Sequence, residues 1–284
     1  MPDLEPITEP PPLPERPADG HKGTFGTVIV VGGCATMLGA PAFVAGAALR
    51  SGAGLAKIAI DEALVPHVLT IEPSATGIAL AGAAANRSEQ ITGAVADHHA
   101  VLALGPGLGD AAGLETLVTS LLAMPWRAVL LDADGLNTVA HSGYRHPPEG
   151  CPLVLTPHPG EFRRLAKPAG ITADPTDPAQ RQDAAAALAA YHRAVVVLKG
   201  QHSVVTDAQR VYVNQTGNPA LATAGTGDVL TGLIAGLLAQ GMLPFDAASL
   251  GCHLHGAAAD RWAEQYGTLG MTATTLIMSL ASSC

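Results

Sequence analysis

The chain has 284 residues, 48% of them hydrophobic and only 14% charged. That is enough apolar material for one large α/β domain and too little charge for intrinsic disorder. Its 15 basic and 24 acidic side chains leave a net charge of −9, which excludes general nucleic-acid binding and a polybasic membrane anchor.

Residues 1–20 read as an acidic tail. Seven prolines within the first 17 residues remove backbone donors and fix φ, so neither a helix nor a central strand is expected there. No basic region leads into an apolar one, so no signal peptide is read. Composition changes at His21, and 21–284 reads as a single domain.

Strands are expected over 27–31 and 55–60, with an Ala-rich helix over 40–51 between them. A buried strand over 100–104 ends in Gly105-Pro106-Gly107-Leu108-Gly109, and a helix over 111–123 follows. Strands over 128–131 and 153–155 come next, then a helix over 161–167 and a turn-rich stretch, 170–178. After a helix over 179–191 and a strand over 194–198, the runs 203–206 and 211–213 form a hairpin. The last quarter reads as helices over 228–239, 245–262 and 271–281. Its most apolar stretch, 229–243, is broken by Thr231, Gln240 and three glycines, and is shorter than the ~20 residues of a membrane span. Short apolar strands separated by helices imply a mostly parallel sheet covered on both faces, a three-layer α/β/α domain. Cys34, Cys151, Cys252 and Cys284 form no C-x-x-C pair, so free thiols in a reducing cytoplasm are expected.

Ligands of open parallel sheets bind beyond the carboxyl ends of the strands. The residues at those ends are Gly32-Gly33, the 105–109 glycines, Asp132-Ala133-Asp134-Gly135, Thr156-Pro157-His158-Pro159-Gly160-Glu161 and Lys199-Gly200-Gln201-His202. They read as one cleft. The 105–109 segment is G-x-G-x-G, which serves equally as a tight turn or as an incomplete dinucleotide fingerprint. The chain contains no G-x-x-x-x-G-K-[ST] and no G-x-S-x-G, which excludes a P-loop protein and argues against an α/β-hydrolase.

The segment Ala222-Thr223-Ala224-Gly225-Thr226-Gly227-Asp228 leads small residues directly into an apolar helix. Unpaired N–H groups at a helix start, with glycines that admit close approach, make an anion hole. Asp228 suits an N-cap, but a cap does not need the flanking glycines, which favours a functional carboxylate.

Ala224-Gly225-Thr226-Gly227-Asp228 resembles the anion-hole signature of the ribokinase-like superfamily. More narrowly, about 21–281 resembles the ADP-dependent NAD(P)H-hydrate dehydratase family. The matching segments are 21–26, 49–55, 105–109, 132–137, 155–161, 198–200 and 222–232. The resemblance implies repair of hydrated NADH or NADPH: a nucleotide phosphorylates the hydrate's hydroxyl, and phosphate is then eliminated, leaving AMP when ADP is the donor. In that scheme the amides of Gly225, Thr226 and Gly227 stabilise the phosphoryl group and Asp228 accepts the hydroxyl proton, its pKa not expected to be raised at a helix start. The resemblance places ADP or ATP against Lys199, Gly200, Gln201, His202, Ser203 and Gly227, and the hydrate near Ala40, Gly107, His158 and Asp228.

Each assignment has a plainer alternative. Lys199 also suits a solvated lysine, His158 a turn, Glu161 a first-turn carboxylate, and Ala42 competes with Ala40. Magnesium is expected with the nucleotide, although no carboxylate pair stands out as its ligand; Asp132 and Asp134 are supporting cleft residues. His253 and His255 would point to different helix faces, and the adjacent His98-His99 read as exposed. Two departures from the family pattern are Cys34, where serine is common, and the lack of length for the fused epimerase of many bacterial relatives, so a separate epimerase is expected. A homo-oligomer is expected from the low surface charge. A vitamin-precursor or sugar kinase of the same superfamily would share the glycine–aspartate site. The 132–137 and 157–161 segments favour the dehydratase, and an intact Asp228 argues against a non-catalytic nucleotide-binding module.

Overall fold

Alternate side chains of the apolar runs feed two separate cores. In the computed structural model, which describes residues 4–95, 99–146 and 148–280, the elements in chain order are β1 (Glu5–Ile7), β2 (Thr27–Val31), α1 (Gly39–Arg50), β3 (Leu55–Asp61), α2 (Val65–Ile71), β4 (Thr76–Leu80), α3 (Ala84–Gly93), β5 (Val101–Leu104), α4 (Leu114–Leu122), β6 (Ala128–Leu131), α5 (Ala133–Ser142), β7 (Leu153–Leu155), α6 (Pro159–Ala169), α7 (Arg181–His192), β8 (Val195–Leu198), β9 (Val204–Thr206), β10 (Arg210–Val213), α8 (Thr226–Ala239), α9 (Pro244–Tyr266) and α10 (Ala273–Leu280). In β2, Val28 and Val30 face the core formed with α1, α8, α9 and α10. Ile29 and Val31 face the opposite core, with α4 to α7. This period of two, repeated strand after strand, is what a sheet covered on both faces requires.

The strands form one sheet in the order β1-β10-β9-β8-β7-β6-β5-β2-β3-β4. Pairing is parallel except where β9 meets β8 and β10, the hairpin expected from sequence. The three-layer α/β/α architecture is therefore as expected. The chain runs outward from β2 to β3 and β4, then returns to place β5 on the other side of β2. That reversal opens a crevice above the β2 and β5 ends. Among the described residues, no helix is long and apolar enough to cross a membrane.

Helices α1 and α8 pack backbone to backbone. A Cβ on Gly232 would strike the Val44 carbonyl, and one on Gly236 would strike Ser51 and the Ala48 carbonyl. This close approach fixes where α8 begins. The helix expected from 111 starts at Leu114, after a left-handed turn at Gly113 (φ 83°). The sequence reading contains no counterpart of α2, β4, α3 or α5. His98 and Cys284 lie outside the described residues.

The N-terminal segment is not a detached tail. β1 adds parallel to β10, with Pro6 opposite Val211. An edge strand pairs on one side only, so proline is tolerated there, whereas it excludes an interior strand. Arg16 lies 3.6 Å over the Phe25 ring and donates to the Gly52 carbonyl at 2.8 Å and to Gln240 Oε1 at 3.0 Å. Deleting residues 1–20 is accordingly expected to lower the melting temperature by a few degrees. An unchanged calorimetric transition would show that these contacts contribute nothing.

Candidate active site

The cleft residues meet at the carboxyl ends of the central strands, under the first turn of α8. Gly225 takes the left-handed conformation (φ 88°) as the N-cap residue, a backbone state that a side chain resists. Thr226 is buried, and its hydroxyl donates to the Leu221 and Thr223 carbonyls at 2.8 and 2.9 Å. It braces the turn. Its own N–H reaches the Thr223 carbonyl at 3.4 Å, while the N–H groups of Gly227 and Asp228 find no backbone acceptor among the described residues. The Gly225 N–H likewise finds none, so these donors can receive an anion, whereas the Thr226 N–H expected among them is engaged.

Asp228 is the third helical residue, and no side chain caps α8, so the capping role is not the one it plays. Its pKa is raised to about 7, first by burial and then by the charge of Asp132, against the opposing pull of Lys199; Asp134 and Glu161 add to the rise. The expectation of an unshifted carboxyl is corrected here. It considered the helix start alone, whereas tertiary packing desolvates the group among other carboxylates.

Lys199, at the end of β8, is the cation of this cluster. Its Nζ donates to Asp132 Oδ1 at 2.7 Å and lies 3.8 Å from Glu161 Oε2. Burial opposes its charge, but the carboxylates outweigh that and the pKa is raised. Asp132 is 1% exposed, and its second oxygen accepts from Thr231 of α8 at 2.8 Å. Burial also raises the pKa of Glu161, against the pull of Lys199. The solvated-lysine alternative is thereby excluded. Asp132 is the keystone of the cleft rather than a supporting residue, and the sequence signal for it was its place at a strand end.

Lys199, Gly200, Gln201, His202, Ser203 and Gly227 all line one cavity of about 520 Å³. Its other walls, unforeseen from sequence, come from the 214–219 turn and from Leu230, Cys252, His255 and Gly256. His255 is buried, and its Nε2 meets the Thr226 carbonyl at 2.9 Å. A carbonyl only accepts, so that nitrogen carries the proton. Burial pushes the imidazole pKa down to about 4, which keeps the ring neutral. His255 thus holds the anion-hole turn from below, a role that its helical spacing alone did not reveal.

The residues expected at the hydrate lie outside that cavity. Ala40 and Gly107 adjoin: a Cβ on Gly107 would lie 3.0 Å from that of Ala40. His158 is the N-cap of α6, accepting from the Gly160 N–H at 2.9 Å while Glu161 accepts from the His158 N–H at 2.8 Å. His158 therefore does close the turn. Its outer nitrogen lies 3.4 Å from Glu161, and its side chain is 52% exposed. The described residues hold no cluster of three metal-ligating side chains.

The three-layer fold around a mostly parallel sheet is shared with a ribokinase-like superfamily protein of Enterococcus faecalis, which superposes with a TM-score of 0.77 at 27% identity, covering 95% of this chain and 90% of that one. The chain belongs to the NAD(P)H-hydrate dehydratase family, whose sequence profile matches residues 28–281. It is 42% identical over 275 residues to a bifunctional NAD(P)H-hydrate repair enzyme of Moorella thermoacetica, covering 93% of this chain and 50% of that protein. It thus spans about half the length of the bifunctional relatives that it matches. An ADP-dependent (S)-NAD(P)H-hydrate dehydratase of Neisseria meningitidis is 41% identical, over 89% of this chain and 82% of that one. The crystal structure of the ADP/ATP-dependent NAD(P)H-hydrate dehydratase of Bacillus subtilis, co-crystallised with ATP and Mg2+, superposes with a TM-score of 0.82 at 32% identity, covering 95% of this chain and 93% of that one.

Two outcomes follow from the charge cluster. Lys199→Ala leaves the buried Asp132 carboxylate without its cation and is expected to destabilise the fold by roughly 3–5 kcal/mol. Denaturant titration reads this effect, and a wild-type midpoint would show that the pair contributes nothing to stability. Asp228 keeps its proton up to about pH 7 when folded but releases it in the ordinary carboxylate range when unfolded. The folded state binds more protons between those limits, so stability falls as pH rises through them. Asp228→Asn never ionises, so it is expected to raise the melting temperature above pH 7 and to change it little near pH 4. An equal gain at both pH values would trace to something other than charge.

Proposed function

We propose that the chain is an ADP- or ATP-dependent (S)-NAD(P)H-hydrate dehydratase. The observation that carries this reading is a carboxylate poised near neutrality beside two unpaired helix-start amides, at the edge of a cavity sized for a nucleotide. The family membership and the names of the relatives support the substrates.

In this mechanism the nucleotide occupies the 520 Å³ cavity, with its transferring phosphoryl group on the Gly227 and Asp228 amides. The hydrate lies along Ala40 and Gly107, its hydroxyl at Asp228. The hydroxyl oxygen attacks phosphorus, its proton passes to Asp228, and the bond to the leaving phosphate of the nucleotide breaks, giving AMP from ADP. The lone pair of the ring nitrogen then expels phosphate, and loss of a ring proton restores the dihydronicotinamide. Phosphoryl transfer asks mainly for position and charge stabilisation, which Lys199, the amides and the α8 dipole supply.

Magnesium would arrive on the nucleotide phosphates and screen their charge. Both Asp132 oxygens are already engaged, so the protein offers no closed cage, which suits an ion that keeps its waters and uses few protein ligands. A separate epimerase would convert the other hydrate epimer.

The test is to supply hydrated NADH or NADPH with ADP or ATP and follow absorbance in the reduced-nicotinamide band. Asp228→Asn is expected to lower turnover by roughly 10²–10⁴ while both ligands still bind. In the wild type, kcat/KM should fall as pH drops through about 7, because protonated Asp228 cannot accept the hydroxyl proton. Turnover within a few-fold of wild type in the Asn variant would remove Asp228 from the proton step. Phosphorylation of a vitamin precursor or sugar in place of hydrate repair would favour the kinase reading.

A further inference from the structure

A second cavity, of about 510 Å³, opens on the same rim of the sheet at the ends of β2, β3 and β4. Its walls are small or apolar, among them Gly33, Cys34, Leu108, Ala112 and Leu117, with Asp61 and Arg87 also in the lining. Arg87 Nη2 pairs with Asp61 Oδ2 at 2.8 Å, and its Nε donates to the Gly82 carbonyl at 3.0 Å. The proposed mechanism uses none of these residues.

A run of contacts joins this cavity to the anion hole along the first turn of α1. A Cβ on Gly225 would meet Phe43, as would one on Gly39; one on Gly107 would meet Ala40 and Met37; one on Gly109 would meet Met37 and Cys34. The path is faced by glycine backbone, by Ala40 and Cys34, and by the larger Phe43 and Met37; the glycines are where a pyrophosphate chain can lie close. The path also has a suitable length. From β6, whose Asp132 acts on Asp228, the sheet order passes β5 and β2 to reach β3, and three strand spacings amount to about 14 Å. That is on the scale of the separation between the two nucleosides of an extended dinucleotide.

We propose that the second cavity binds the adenosine half of the hydrated dinucleotide, remote from the reacting ring, with Arg87 at its ribose 2′ substituent. This rests on the reading of the site as a NAD(P)H-hydrate dehydratase. The small apolar walls accept the faces of a base. Arg87 is held by two bonds that fix its plane, and its Nη1 has no hydrogen-bond partner among the described residues, so it can donate to a 2′-phosphate. Asp61 offers an acceptor to a 2′-hydroxyl in the phosphate's absence. The pair admits both hydrates and favours the phosphorylated one.

Ala112 is exposed on the cavity wall, so Ala112→Trp fills the space without disturbing the core. NADPH binding to this variant and to the wild type is measured by fluorescence titration, and ADP binding by calorimetry. Turnover is compared between hydrated NADPH and hydrated reduced nicotinamide mononucleotide, which lacks the adenosine half. The tryptophan is expected to weaken NADPH binding about tenfold with ADP affinity retained, and to lower the ratio of kcat/KM for the dinucleotide over the mononucleotide hydrate by a similar factor. Unchanged NADPH binding, or an equal loss on both hydrates, overturns the assignment. Arg87→Gln is expected to narrow the preference for NADPH over NADH, and an unaltered preference removes Arg87 from the site. A wild type that turns over no hydrate, yet whose NADPH binding still responds to Ala112→Trp, would overturn the proposed activity and leave the cavity assignment standing.

Discussion

One ammonium group among several carboxylates holds the cleft together. Lys199 at the end of β8 binds Asp132 at the end of β6, and Asp132 in turn binds Thr231 on α8. Two strands and a helix from opposite faces of the sheet are thus tied at a single point. Glu161, which locks the start of α6, lies within reach of the same lysine. A buried carboxylate demands its cation, so these elements are held in one arrangement. Asp228 feels every member of the set, and its proton affinity follows from the arrangement rather than from its own helix.

The anion hole depends on a second constraint, the approach of α8 to α1. Only glycine permits the contacts at 232 and 236. They bring the start of α8 over the strand ends, where Gly225 makes the turn and His255 supports it from α9. The neutral imidazole supplies a fixed donor without adding charge beside the unpaired amides of the helix start. Burial of Asp228 works against stability once the carboxyl ionises, and the same burial brings its pKa to where it can exchange a proton near neutrality. Stability and chemistry therefore pull in opposite directions at this position.

Both cavities open on one rim because the parallel strands all end there, and the order reversal between β2 and β5 separates the helices that would otherwise cover it. The Gly32–Gly33 and 105–109 loops contribute Gly33 and Leu108 to the wall of the second cavity. Arg87 and Asp61 carry no motif. Asp61 ends β3 and Arg87 lies on α3, a helix the sequence did not announce, and only their placement beside the crevice gives them meaning.

The sequence by itself determined β2, β3 and β5 to β10, the two-sided burial and the rim where the cleft residues gather, because apolar period and glycine-punctuated strand ends are local properties. It also marked the helix start at 225–228 and the set from Lys199 to Ser203 that lines the 520 Å³ cavity. Four further features were decided by tertiary structure: the docking of 4–20 on the sheet edge, the raised pKa of Asp228, the central place of Asp132, and the support of the anion hole by His255. Each depends on a partner far along the chain: Val211 for Pro6, Lys199 for Asp132, Thr226 for His255. Local sequence encodes which backbone conformations are favoured. Desolvation and charge coupling depend on what packing brings within a few ångströms, so the electrostatics of the site became legible only once the chain was folded.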